Sequence, residues 1–199
     1  MKTINFRLVQ EADAEEILGI YEPYIKDTAI TFEYETPSVD EFRSRIREIS
    51  SDYPYIVCVS DSKIIGYAYA HRQMERAAYQ WNAELSVYID KACLRCGVGK
   101  ALYSALIEIL QMQNVRSVYG GVTSPNENSE KLHEYFGFKK LGVYHSTGYK
   151  CGAWHDVAWF EKTIGDYCLA PKPFVSIQEI DKNVITEILN RYNEPHHSK

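Results

Sequence analysis

Along 199 residues no apolar run approaches the ~18 needed to cross a bilayer, and the opening Met1-Lys2-Thr3-Ile4-Asn5 lacks the apolar stretch of a secretory signal. A cytoplasmic protein without membrane contact is the expectation. Positive charge is in deficit too, with 22 Lys and Arg against 27 Asp and Glu and a formal net charge of -5. No basic field is there to capture nucleic acid or anionic lipid, so any anionic ligand has to be held by a local arrangement of donors. Cysteines are few and odd in number, scattered from Cys58 to Cys168, which does not make the framework of a secreted disulfide scaffold. Cys93-x-x-Cys96 has the spacing of half a zinc site, but no second Cys/His pair at ligand spacing accompanies it, and His196-His197 are too sparse to serve. No metal is expected. Internal repeats and low-complexity tracts are also missing.

What is present is ordinary globular composition, 45% hydrophobic and 25% charged, in a length that suits one ample domain. Ile4-Asn5-Phe6-Arg7-Leu8 alternates as a strand does, and Asp13 is placed to cap a helix whose Ile17, Ile20, Tyr21, Tyr24 and Ile25 recur at helical spacing. Ser38-x-x-Glu41 is a capping-box pattern ahead of Phe42, Ile46 and Ile49 on one helical face. Between these helices Thr31-Phe32-Glu33-Tyr34 forms a candidate substrate-side loop. Tyr55 to Val59 and Ile64 to Ala70 flank the turn Asp61-Ser62-Lys63, and Ala83 to Ile89 extends the meander. From Gly97 the period changes to helical, with Leu102, Leu106, Ile109 and Leu110 on one stripe; a strand over Ser117 to Val122 follows. Asn126 to Phe136 predicts a further helix closed by Gly137, and Trp154 to Lys162 a last strand. The order β-α-α-β-β-β-α-β-α-β predicts an α/β sandwich around one mixed sheet with helices on both faces. A domain over residues 1–165 is expected, with 166–199 as an extension carrying one short helix. Its stripe Val184, Ile185, Ile188 and Leu189 needs a surface to cover, on a second copy or on its own domain.

Leu94-Arg95-Cys96-Gly97-Val98-Gly99-Lys100 puts two glycines where a strand gives way to an amphipathic helix. A helix start leaves its first N–H groups unpaired and carries partial positive charge, so a pyrophosphate can take several hydrogen bonds there, with Arg95 and Lys100 adding charge. The segment is neither a Walker loop nor a G-x-G-x-x-G fingerprint. A plain structural turn would use the same residues.

Further motifs are Thr31-Phe32-Glu33, Gly66-Tyr67-Ala68-Tyr69-Ala70, Arg76-x-x-Tyr79-x-Trp81, Glu84-x-x-Val87-Tyr88, Pro125-Asn126, Leu132-His133-Glu134 and Gly148-Tyr149-Lys150-x-Gly152-x-Trp154-His155-Asp156-Val157. With the glycine loop they resemble the GNAT acetyltransferases, and among these the phosphinothricin N-acetyltransferase-like enzymes, over roughly Ile4 to Ile180. The resemblance implies a notch where two neighbouring parallel strands splay apart. There acetyl-CoA would lie, its pantetheine on the backbone of Val87, Tyr88 and Ile89 and its pyrophosphate on the loop Leu94 to Lys100. Asn126 would touch the pantetheine arm, with Ser129 one turn on, unless Asn126 is only a helix cap.

An amine acceptor must be deprotonated and the CoA thiolate protonated as it leaves, so two titratable groups are expected. By resemblance Glu84 is the general base, through a water, and His133 protonates the thiolate; a solvated strand carboxylate and a structural histidine are the bland alternatives. Phe32, Arg76 and Tyr79 would line the acceptor pocket, with Arg76 the partner of a carboxylate or phosphinate. Three positions depart from the family pattern: Leu94 where Gln or Arg is usual, Met74 where the resistance enzymes tend to be basic, and Thr123 where glycine is common. A pocket short of one cation should bind a doubly anionic substrate less well. The implied activity is N-acetylation of a small amino-acid-like amine such as methionine sulfoximine, methionine sulfone or phosphinothricin, in a homodimer. Another amine, a protein N-terminus, or mere acyl-CoA binding are the other readings.

Overall fold

The computed structural model describes residues 4–193; the His196-His197 pair lies outside them. The chain runs β1 (Ile4–Leu8), α1 (Ala14–Asp27), α2 (Val39–Asp52), β2 (Tyr55–Ser60), β3 (Lys63–Arg72), β4 (Asn82–Ile89), α3 (Val98–Met112), β5 (Ser117–Ser124), α4 (Glu127–Tyr135), β6 (Lys139–Lys150), β7 (Ala153–Thr163) and α5 (Lys182–Asn190). Seven strands form one sheet in the order β1-β2-β3-β4-β5-β7-β6. β4 and β5 pair parallel, and the other neighbours pair antiparallel.

Alternate residues of a strand face opposite sides, and the apolar ones here divide between two cores. Ala68, Ala70, Ala83, Leu85 and Val118 join Leu102, Leu106 and Leu110 of α3. Val57 and Tyr67 join Ile17, Tyr21 and Ile25 of α1 and Phe42 and Ile46 of α2. Helices therefore cover both faces. The expected capping box opens α2: Ser38 Oγ accepts the Glu41 N–H at 3.3 Å, and Glu41 Oε2 accepts the Ser38 N–H at 2.8 Å. Ile185, Ile188 and Leu189 of α5 fold back into the α3-side core.

Two expectations need correction. Asp13 does not cap α1; its carboxylate takes the Arg7 guanidinium at 2.7 and 2.9 Å and the Gln10 N–H at 2.7 Å, an ion pair outcompeting the helix start. β6 is a strand that the pattern gives no sign of. It lies at the sheet edge with Leu141, Gly142, Tyr144 and Tyr149 exposed and with two breaks of register against β7, so no period-two burial is written into it.

Candidate active site

The parallel ladder between β4 and β5 is short. It pairs Asn82 with Ser117, Ala83 with Val118 and Glu84 with Tyr119, and stops. β4 continues to Ile89 and β5 to Ser124, so beyond Glu84 the two strands part and leave a notch edged by main chain. On its other edge this part of β4 stays paired with β3, Ala68 with Val87, Tyr67 with Tyr88 and Gly66 with Ile89. Main-chain N–H and C=O groups turned into such a gap are strong donors and acceptors awaiting a ligand or water.

The glycine loop closes one end of the notch. Gly97 begins α3 in the left-handed region, φ 81°, with no side-chain cap, and Arg95 before it also has positive φ. The first N–H groups of α3 thus have no side chain across them. Leu94, Arg95, Cys96 and Lys100 are exposed, while Val98 is buried and anchors the turn. A Cβ on Gly99 would stand 4.0 Å from Ile89 Cγ1, so the end of β4 and the start of α3 are neighbours. Lys100 Nζ sits 3.5 Å over the Tyr135 ring of α4. Across the notch Asn126 caps α4, its Oδ1 accepting the Ser129 N–H at 3.2 Å.

Glu84 lies on the α1/α2 side of the sheet, opposite in register to His71 of β3. It is half-buried; burial raises its carboxyl above the ordinary value, and the His71 charge lowers it in part. A base held above the usual carboxylate range is better matched to proton transfer near neutrality.

His133 lies on the other side, 2% exposed. Its Nδ1 is 2.8 Å from the Ser129 carbonyl, which assigns the proton to Nδ1 and leaves the Nε2 lone pair to accept from the Tyr103 hydroxyl at 3.3 Å. Phe138 and Phe160 pack on the ring at 4.9 and 5.0 Å between centroids. Burial pushes the imidazole below its ordinary value, and the Ser129 hydrogen bond opposes this. Nε2 reaches the sheet over Gly120, the first residue of β5 past the last paired rung; a Cβ there would be 2.3 Å from it. Glu84 and His133 thus sit on opposite faces, both where the ladder opens.

The loop after α1 is held from three directions. Tyr21 of α1 hydrogen-bonds Thr31 Oγ1 at 2.7 Å and donates to Glu33 at 2.9 Å, and Arg45 of α2 pairs with Glu33 at 2.8 Å. From the far edge, Lys150 Nζ donates to the Thr31 carbonyl at 2.7 Å, and the Tyr34 hydroxyl donates to the Tyr149 carbonyl. Lys150 is 5% exposed, and burial lowers its ammonium below the ordinary value. Phe32 lies against Gly148 and 6.3 Å from the His155 ring. Arg76 and Tyr79 stand apart from it, exposed around a short 3-10 turn between β3 and β4. Among the described residues no hydrogen bond, ion pair or ring contact joins these two to Phe32.

The fold therefore gathers Val87 to Ile89, the glycine loop, Asn126 and Ser129, Glu84 and His133 around one notch, and leaves Arg76 and Tyr79 on the connection that leads into the paired end of β4. Tyr103 and His71 went unnoticed in the sequence, and Lys150 stood there only within a motif, with no role. Tyr103 and Lys150 occupy positions that periodicity marks as core or edge, and only tertiary contact reveals their partners. Among the described residues no group of three His, Cys, Asp or Glu side chains could hold a metal ion.

Comparison with known proteins gives a consistent picture. Residues 6–159 match the family model described as the acetyltransferase (GNAT) domain. The phosphinothricin N-acetyltransferase of Streptomyces viridochromogenes is 28% identical over 179 residues, covering 90% of this chain and 97% of that enzyme. The L-methionine sulfoximine/L-methionine sulfone acetyltransferase of Salmonella typhimurium is 25% identical, covering 82% and 96%. Among solved structures, a GNAT superfamily phosphinothricin acetyltransferase from Sinorhizobium meliloti in complex with AcCoA superposes with a TM-score of 0.81 at 32% identity, over 86% of this chain and 93% of that one.

Proposed function

The chain belongs to the GNAT acetyltransferase family, and we propose that it moves the acetyl group of acetyl-CoA onto the amine of a small amino-acid-like acceptor of the methionine sulfone, methionine sulfoximine or phosphinothricin type. The observation that carries this reading is the notch itself: a parallel ladder that ends at Glu84 beside an uncapped, glycine-marked helix start. Acetyl-CoA is the co-substrate. The α3 N-terminus from Val98 to Lys100, with Arg95 and Lys100, suits its pyrophosphate, and the β4 main chain from Val87 to Ile89 suits the amides of its pantetheine arm.

Glu84 takes a proton from the acceptor ammonium through a water. The freed amine attacks the thioester carbonyl, whose oxygen a main-chain N–H near Val87 steadies. The C–S bond breaks, and the thiolate is protonated at His133. Burial keeps that imidazole neutral, so it acts as a relay: the attacking nitrogen, which still holds one proton too many as the amide forms, passes it by way of His133 to the sulfur, while the Tyr103 hydroxyl holds the ring at Nε2. Asn126 and Ser129 at the start of α4 steady the pantetheine. Phe32 packs on the acceptor's apolar part, and Arg76 with Tyr79 receives its acid group. Met74 leaves the acceptor pocket with one cation fewer than a doubly anionic acceptor prefers, which favours the methionine derivatives. Work in the cytoplasm as a homodimer belongs to the same proposal; the exposed Leu141, Tyr144 and Trp154 of β6 and β7 support the second copy. Light scattering tests it.

Calorimetry with coenzyme A and a thiol-release assay with methionine sulfone, methionine sulfoximine and phosphinothricin test the activity. Binding with turnover is expected. Binding without turnover of any amino acid would make the chain an acyl-CoA sensor, and no binding would end the acetyltransferase reading.

A further inference from the structure

β3 and β4 bring two ionisable side chains face to face. His71 and Glu84 are directly opposed in the antiparallel register, and such residues carry their Cβ atoms ~4.5–5.5 Å apart on one side of the sheet. Both are half-buried. His71 Nδ1 lies 3.0 Å from the Arg72 carbonyl, which places the neutral ring's proton there and leaves Nε2 open to take one. The other groups that face or feel Glu84 are Tyr69 of β3, Tyr119 of β5 with Glu161 beside it, and Tyr103 of α3. The Glu33–Arg45 pair lies beyond Tyr69. Of the described groups next to Glu84, His71 is the one that can carry positive charge; the rest are phenols or a second carboxylate.

We propose that His71 is a positioning residue for acyl transfer, the charge partner set across β3–β4 from the carboxylate that takes the acceptor's proton. This rests on the assignment of Glu84 as the base. A positive neighbour favours the ionised carboxylate and opposes the burial that disfavours it. The active form of the base therefore persists to lower pH than a lone half-buried carboxylate allows.

The test is a pH titration of the full chain labelled with 13C at the glutamate δ-carboxyl, with Glu84→Gln identifying the signal. It needs no substrate, so it reads the pair whether or not the chain acetylates amines. In His71→Asn the Glu84 midpoint should rise by roughly 0.5–1 unit, and His71→Gln should do the same if the Asn variant does not fold. His71→Lys, which keeps the charge, should restore the original midpoint. In thiol release with methionine sulfone, the acid limb of kcat/KM should move up by the same interval, a loss of about three- to tenfold below the limb, with acetyl-CoA affinity unchanged. A lower plateau with an unmoved limb would mean that His71 only packs. An unmoved Glu84 midpoint in a folded His71→Asn or His71→Gln variant overturns the proposal. A moved midpoint in a protein that acetylates none of the acceptors leaves the pair standing and removes the catalytic reading.

Discussion

Gly120 and His133 constrain each other, because the imidazole edge fills the place where a side chain would begin. Gly120→Ala must drive the ring out or shift the strand. A loss of about 1–3 kcal/mol by denaturant unfolding and a fall in kcat larger than any rise in the acetyl-CoA KM are expected. His133 also makes stability depend on pH. Its imidazole is lower in the fold than the ~6.5 of an unfolded chain, since burial penalises the charged form. The unfolded chain therefore binds more protons over that interval, and stability is full above the upper value and falls as pH drops toward the folded one. Unfolding curves between pH 7 and pH 5 should show this slope, and His133→Gln should flatten it. At the proposed base, Glu84→Gln should lower kcat by about 10²-fold or more, with calorimetric affinity for coenzyme A retained. Glu84 and His133, which the fold brings to the opening of the β4–β5 ladder, could be singled out because they fall within motifs. That Tyr103 supplies the hydroxyl at His133 was not legible, since Tyr103 reads in sequence as one more core position of an amphipathic helix.

Elements were legible in proportion to how one-sidedly they are buried. α1, α2 and α3 each show a core stripe at helical period, and the strands β2 to β4 carry enough apolar residues to declare themselves. β6 has neither, because an edge strand with water on most of its length is under no pressure to alternate. The start of α3 is where an element makes a site. Gly97→Ala would place a Cβ on a residue at φ 81°, costing about 1–2 kcal/mol. It should also weaken coenzyme A binding several-fold by calorimetry, because the same backbone turn aims the first N–H groups. Ser38→Ala, far from the notch, should cost about 1 kcal/mol of stability and leave coenzyme A binding alone, which separates a helix end that holds the fold from one that holds a ligand.

For the whole molecule, the described part of the extension proposed at residues 166–199 is, as far as Asn193, part of the packing. Val175 N–H bonds the Gln113 carbonyl at 3.1 Å, Gln113 in turn donates to the Val175 carbonyl at 2.8 Å, and Asn193 Oδ1 accepts the Phe6 N–H at 2.6 Å. Ile188→Asp should cost more than about 2 kcal/mol by burying a charge against α3, lowering the melting temperature of the entire domain in one transition. Sequence periodicity could offer a second copy or the chain's own surface for this stripe, and long-range packing selects the latter. The placement of the two proposed catalytic groups on opposite faces is likewise a property of the assembled sheet, invisible in any local stretch.

Three rungs are all that bridge β4 and β5, so the sheet resembles a fabric with a seam left open partway along its middle. A pantetheine arm laid in that opening would stitch it, its amides serving as the missing thread between two halves that otherwise meet at one corner. Saturation with acetyl-CoA should then slow amide exchange from Leu85 to Ile89 and from Gly120 to Ser124 more than in strands farther from the seam, making the donor substrate a late-arriving piece of the protein's own architecture.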